Sequence, residues 1–323
     1  MQETIARALK TQFEKEVYEG LADYPKHLSS KYFYDEKGDK LFQQIMNMPE
    51  YYLTGKEFEI LSEHTAEIAE VFARGDQAFK LIELGAGDGK KTKILLKYLS
   101  EHNFRFKYQP IDISQNALNG LEKSLRTELP NLDVEIRQGT YFETLEEINT
   151  ENGTKKVILF LGSNIGNLLH PQAVEFLKSV QHLMNKDDLL FVGFDMKKNP
   201  AVILDAYNDP NGITAAFNKN ILVRINRELE GNFNLKKFRH WETYNPETGT
   251  ASSFLVATQP QTVDIKKISL TVHFRAWETI HTEISQKYDA DTITWLADKS
   301  GLEVVTAFGD ANDDYKDYVF RRK

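Results

Sequence analysis

The sequence predicts an α/β fold: a doubly wound, Rossmann-like parallel sheet interrupted by an inserted α+β domain. Three observations carry this. The apolar run Leu81-Ile82-Glu83-Leu84 ends in Gly85-Ala86-Gly87-Asp88-Gly89 and passes into Lys93-Ile94-Leu95-Leu96, which reads as strand, glycine turn and helix. From about 78 to 196, strand-like and helix-like stretches alternate, the rhythm of parallel strands joined by helices. At about 198–286 that rhythm gives way to a helical region and then to segments that look antiparallel.

In chain order, residues 1–10 form a charged amphipathic helix without the apolar core of a signal peptide. The first strand ends at Leu84, and 106–113 and 133–139 supply the second and third. Residues 156–162, Lys-Val-Ile-Leu-Phe-Leu-Gly, read as a fully buried central strand. A helix over 171–184 has proline near its start, and 189–194 is the fifth strand. One helical region spans 201–230, and 252–257 and 268–274 are antiparallel strands. A helix over 291–299 precedes a terminal strand pair, 302–308 and 315–320. The expected domains are 61–197 plus 287–323, binding a cofactor, and 1–60 plus 198–286, binding a substrate.

The chain has 323 residues, 41% of them hydrophobic, enough to bury a sizeable core in one large or two modest domains. Its net charge of −8 offers no basic excess to displace counterions from nucleic acid. The absence of cysteine removes disulfides, thiolate nucleophiles and cysteine-bound zinc. No window approaches 18 apolar residues, and no His/Asp/Glu cluster has metal-ligand spacing. A cytoplasmic monomer acting on a small molecule is expected, with no metal, membrane or nucleic-acid partner.

The glycine turn lets backbone approach a ligand closely. Lys90 and Lys91 in the first helical turn face the positive end of the dipole, a cost that a bound anion would offset. The turn reads as a nucleotide-type cofactor site, against a plain glycine turn. A dinucleotide site wants G-x-G-x-x-G and an acidic residue about 20 positions on. Here the spacing is G-x-G-x-G, and Asp112, 27 residues past Gly85, could take both hydroxyls of a ribose. With Glu83 before the first glycine, this resembles the class I methyltransferase pattern for S-adenosylmethionine more than that for NAD.

Two further segments hold candidate chemistry. Gly162-Ser163-Asn164-Ile165-Gly166-Asn167-Leu168 follows the central strand, where ligands of open α/β sheets bind. Asn167 could hold a substrate amine or carboxylate, or it could cap a helix. If 277–288 is extended, His281, Glu283 and Ser285 share one face, and Ile280, Thr282 and Ile284 share the other. The carboxylate and hydroxyl could grip an imidazole N–H, or form an exposed polar face; His281 is expected to face solvent.

Taken together, Pro25 to Asp35, Leu41-Phe42, Pro49-Glu50-Tyr51-Tyr52, Glu57, the glycine turn, Gly162 to Leu168, Ala206-Tyr207-Asn208-Asp209, Gly212 to Asn218 and Thr282-Glu283-Ile284-Ser285 carry a family pattern. From about residue 20 to the C-terminus the chain resembles the histidine-specific Nα-methyltransferases of ergothioneine biosynthesis. The resemblance implies a class I methyltransferase sheet and a substrate domain closing over the cofactor domain. It implies that Asn167 and Tyr207 hold the substrate's carboxylate and amine, with Tyr51 beside the amine and Tyr34 lining the pocket. Tyr51 and Asn167 are then the catalytic pair, and Glu283 and Ser285 read the imidazole. Gly85, Gly87, Lys91 and Asp112 would contact S-adenosylmethionine, Lys91 at its methionine carboxylate. Where the family often has Asp before the adenine-site aromatic, this chain reads Gly139-Thr140-Tyr141-Phe142, so that Thr140, Tyr141 and backbone would take the adenine. A methionine that lines the imidazole pocket in some relatives is Ser253 here. The implied reaction is trimethylation of L-histidine to hercynine. The rivals are methylation of another amino acid or biogenic amine, an NAD-dependent dehydrogenase, and a cofactor-sensing module.

Overall fold

A computed structural model describes residues 9–74, 78–149 and 153–323. Of the helix expected over 1–10, residues 1–8 lie outside the described residues, and Leu9 and Lys10 are described and not helical. The described strands are β1 (Phe79–Leu84), β2 (Phe106–Asp112), β3 (Arg137–Gln138), β4 (Lys155–Phe160), β5 (Leu189–Asp195), β6 (Phe238–Asn245), β7 (Thr250–Ala257), β8 (Gln261–Ile265), β9 (Leu270–Phe274), β10 (Thr279–Gln286), β11 (Leu302–Gly309) and β12 (Tyr315–Arg322). The chain divides into two compact units, one of Met1–Tyr52 and Lys198–Ser285, the other of Leu53–Lys197 and Gln286–Lys323.

The second unit is built on a seven-stranded sheet in the order β11-β12-β5-β4-β1-β2-β3. β1 pairs in parallel with β2 and β4, and β4 with β5, whereas β12 runs antiparallel between β5 and β11. The two-residue period of a strand sorts the apolar side chains. Phe79, Leu81, Val157, Leu159 and Phe191 enter a core with Ile60, Leu61, Leu95, Leu96 and Leu99. Ile82, Leu84, Ile158, Phe160, Leu190 and Val192 enter another with Leu177, Val180, Ile293 and Leu296. Both faces are covered, which is why β4 and β5 read as unbroken apolar runs. Each such side chain, fully buried, stabilises by about 1.5–3 kcal/mol. The chain winds outward from β1 to β3 and returns to β4 on β1's other side, so the loops after β1 and β4 are neighbours at the switch point.

The first unit holds a three-stranded sheet, β10-β7-β6, and a hairpin, β8-β9. The helix Ile213–Glu228 buries Phe217, Ile221, Leu222 and Ile225, spaced to share one face, in a core with Phe238, Leu255, Ala257 and Ile280. The helix Gln12–Ala22 starts with a capping box of Thr11 and Glu14. Residues 26–28 add to β10 in parallel, His281 N–H donating to the Lys26 carbonyl and Leu28 N–H to the His281 carbonyl.

Several boundaries differ from expectation. The helical region at 201–230 is two helices, Pro200–Tyr207 and Ile213–Glu228. Pro210 forbids continuation, and the Asp209 carboxylate accepts the N–H groups of Ile213 and Thr214 to start the second. The third strand shrinks from 133–139 to Arg137–Gln138 plus a single bridge between Tyr108 and Val134. β6 and β8 had no clear signal in the sequence. β6 buries only alternate residues near its start, and β8 is five residues long.

Candidate active site

The turn after β1 takes its shape from left-handed glycines, Gly85 at φ 75° and Gly87 at φ 54°. A Cβ at Gly85 would stand 2.7 Å from the Tyr141 hydroxyl, whereas one at Gly87 would meet nothing within 4 Å. Gly87 is therefore the open lip of the turn, and its N–H donates to Asp112 Oδ2 at 3.2 Å. Asp112 Oδ1 accepts the Ser114 N–H at 2.8 Å. Each carboxylate oxygen keeps a further lone pair for a ligand hydroxyl. Tyr141 packs edge-on to Phe160, and burial, then the Asp112 charge, pushes its hydroxyl up to about 12. It therefore stays a donor beside Gly85. Thr140 is exposed, just before the helix that begins at Tyr141, and its hydroxyl donates to the Glu143 side chain.

Glu83 does not line the turn. It is buried, accepting the hydroxyls of Thr92 at 2.6 Å and of Tyr108, and so it ties β1 to β2 and to the helix Thr92–Glu101. Lys91 stands at the start of that helix without a side-chain cap bond; its ammonium is paired with Glu57, and Lys90 lies 3.2 Å from Asp88. The offset expected from a bound anion comes here from carboxylates of the chain itself. Glu57 is fully buried and also accepts the Gly162 N–H, at 2.8 and 3.0 Å, and the Tyr315 hydroxyl, at 2.9 Å.

Beyond β4, Gly162 (φ 76°) and Ser163 (φ 54°) are both left-handed, an arrangement that costs a non-glycine residue about 1–2 kcal/mol. The bend aims Asn164 back at the first turn, its Nδ2 standing 3.7 Å from the Cβ positions of both Gly85 and Gly162. Asn167 ends the short turn and is exposed. A groove of about 1290 Å³, lined by Arg74, Lys155, Glu303 and Arg321 among others, takes in none of these residues.

In the unit of Met1–Tyr52 and Lys198–Ser285, the Tyr207 and Ser285 hydroxyls are hydrogen bonded at 2.8 Å, both side chains buried. Tyr51 stands edge-on to Tyr207, centroids 6.2 Å apart, and Phe42 bridges Tyr51 to Tyr34 at 6.4 and 5.4 Å. Tyr34, Tyr51, Tyr207 and Ser285 thus form one row. Glu283 lies half-buried two residues from Ser285 on β10. Ser253, buried, donates to Glu242 Oε2 at 2.5 Å. His240 Nε2 is 3.9 Å from the same oxygen, and burial lowers that imidazole to about 4, leaving it neutral. His281 is half-buried with its ring 5.0 Å from Phe254, not turned to solvent as expected, because residues 26–28 cover its strand.

Residues 13–322 match the model of a family described as histidine-specific methyltransferase, SAM-dependent. The chain belongs to that family. It is 35% identical over 301 residues to the histidine N-alpha-methyltransferase of Mycobacterium tuberculosis, covering 93% of this chain and 92% of that one. It is 33% identical, at the same coverage, to the protein of the same name in Mycolicibacterium smegmatis. Ergothioneine biosynthesis protein 1 of Schizosaccharomyces pombe is 29% identical over 302 residues, 92% of this chain and 39% of that protein. The chain is accordingly an S-adenosylmethionine-dependent methyltransferase with a class I, Rossmann-like sheet.

The family's chemistry needs a bound adenosyl group, and the turn fits one. Gly87 leaves space, Asp112 keeps two acceptor positions, and Gly85 has no Cβ to fill the approach. Reading the sequence missed Asn164 and Glu242 and gave no role to the pairing of Glu57 with Lys91. A side-chain amide directly after two left-handed residues was the available signal for Asn164; nothing in spacing marks the others.

Proposed function

We propose that the enzyme transfers three methyl groups in succession to the α-amine of L-histidine, giving the betaine hercynine, the first step of ergothioneine biosynthesis. The observation that carries this is the Tyr207–Ser285 hydrogen bond in one row with Tyr51 and beside Glu283. It joins hydroxyls suited to an amine with a hydroxyl and a carboxylate suited to an imidazole. S-adenosylmethionine supplies a methyl group on a sulfonium, already a good leaving group, so the chain's own contribution is binding, orientation and exclusion of water. Gly85, Gly87, Asp112 and Tyr141 would hold its adenosyl part, with Thr140 at the margin, and Lys91 its carboxylate.

The substrate amine must be neutral to react, and a peptide α-amine titrates near pH 7.7–8.0. Tyr51 accepts the amine's hydrogen bond and passes its proton outward in this reading. After the third transfer no N–H remains. The rings of Tyr34, Tyr51 and Tyr207 still attract a fixed cation, which a site built on carboxylates alone would hold less well after losing its hydrogen bonds. Glu283 and Ser285 fix the imidazole, and Asn167 the carboxylate.

The test is mass spectrometry of the purified enzyme incubated with S-adenosylmethionine and each of the twenty amino acids. Gains of one, two and three methyls on histidine alone are expected. Glu283→Ala and Asn167→Ala are each expected to lower kcat/KM for histidine by about 10- to 100-fold, as loss of a charge-assisted hydrogen bond does. Methylation of another amine in preference to histidine would overturn the assignment.

A further inference from the structure

A cluster of buried ionisable groups gathers around Gly193 in β5, beside Lys91. A Cβ there would overlap Glu57 Oε1 and the Tyr315 hydroxyl and stand 3.0 Å from Asp317 Oδ1. Glycine makes room for all three. Glu57, Tyr315 and Asp317 are fully buried, whereas the Lys91 side chain is 23% exposed and carries the cluster to the surface. Neither Asp317 oxygen accepts a hydrogen bond among the described residues. Burial first, and the Glu57 charge second, raise its carboxyl well above the ordinary range. Within the cluster, Glu57 and Lys91 form an ion pair.

Glu57 does more than neutralise. It accepts the Gly162 N–H, and Lys91 Nζ lies 3.5 Å from the Cβ position of Gly162. One carboxylate thus fixes both an ammonium from the turn after β1 and a backbone N–H from the turn after β4. An ammonium has three donors, and pairing with Glu57 leaves others for a ligand. An unpaired lysine on a four-carbon stem would sample many positions; this one is held at the mouth of the switch point.

We propose that Glu57 is a positioning residue for cofactor binding: it sets the Lys91 ammonium and the Gly162 turn as one rigid receptor for the carboxylate of the methionine moiety. This rests on the reading that Lys91 meets that carboxylate. The test is calorimetric titration of the full chain with S-adenosylhomocysteine and with 5′-methylthioadenosine, which keeps the adenosyl group and lacks the amino-acid carboxylate. Glu57→Gln should weaken S-adenosylhomocysteine about ten-fold or more and change methylthioadenosine by less than about two-fold. Tyr315→Phe, which removes one donor to Glu57, should show the same selectivity with a smaller loss, and it decides the matter if Glu57→Gln does not fold. Equal weakening of both ligands would overturn the proposal, since it would mean that Glu57 only supports the sheet. So would a loss with Lys91→Met and none with a folded Glu57→Gln. If neither Lys91→Met nor Glu57→Gln discriminates between the ligands, the reading of Lys91 itself falls.

Discussion

At Glu83 a carboxyl is enclosed with two hydroxyl donors, and burial outweighs them, raising it from 4.5 to about 7. Between those values the folded chain holds a proton that the unfolded chain has released. Its contribution to stability is therefore full below pH 4.5, falls as pH rises, and is gone above about 7. The span corresponds to on the order of 3 kcal/mol at 1.36 kcal/mol per unit. Glu83→Gln cannot titrate and keeps an acceptor for Thr92, so its stability relative to the native chain should rise by roughly that amount from pH 4.5 to 8. Urea unfolding across that range checks it; parallel curves would show that Glu83 does not titrate there. The sequence placed an acid before the first glycine but could not show which way it faces. In the same way, Lys91 with Glu57, and Tyr207 with Ser285, are too far apart along the chain for any local spacing rule to join them. Glu283, Ser285 and Asp112 could be singled out in the sequence because each lies on an element whose period or turn suggests a direction.

Among the elements, periodicity was most legible where burial is two-sided. β4 and β5 carry unbroken apolar runs, 157–160 and 189–194, and were found within a residue or two, whereas β3, at the sheet edge, pairs through two residues only. Strand order was not written in any local pattern, and it is order that places the loop after β4 beside the turn after β1. That loop is held from behind by the chain leaving β10. Gly166 lies against the Gln286 backbone, the Tyr288 hydroxyl donates to the Ile165 carbonyl at 3.1 Å, and Lys287 pairs with Asp195 at 2.6 Å, both fully buried. Removing one partner strands a buried charge, so Lys287→Met should destabilise by about 3–5 kcal/mol. Adding Asp195→Leu should restore most of it, because an apolar pair of similar volume replaces a desolvated ion pair at little net cost. Guanidinium unfolding of the single and double variants tests this. Equal losses in both would assign the effect to packing and not to the charge.

In the proposed reading, the two halves of the chemistry fall in separate compact units. Tyr34, Tyr51, Tyr207, Glu283 and Ser285 belong to the unit of Met1–Tyr52 and Lys198–Ser285, and the glycine turn, Lys91, Asp112 and Tyr141 to the other. The change of rhythm near 198 is the sequence feature that suggested an insertion. The joining of the N-terminal segment to it was legible only through family resemblance, because the Lys26–His281 pairing spans most of the chain. A ligand slows exchange most where its contacts suppress local opening, and at a hundred times Kd it stabilises the bound state by about 2.7 kcal/mol, a slowing of about 100-fold. S-adenosylhomocysteine alone should therefore protect amides at 84–92 and 112–117. Histidine, added to that complex, should extend protection to 203–214 and 279–286. Hydrogen exchange read by mass spectrometry separates the two maps. Protection by histidine confined to the glycine turn would remove Tyr207, Glu283 and Ser285 from substrate recognition and leave the cofactor assignment intact. Protection of 279–286 by tryptophan as strong as that by histidine would show that Glu283 does not select an imidazole.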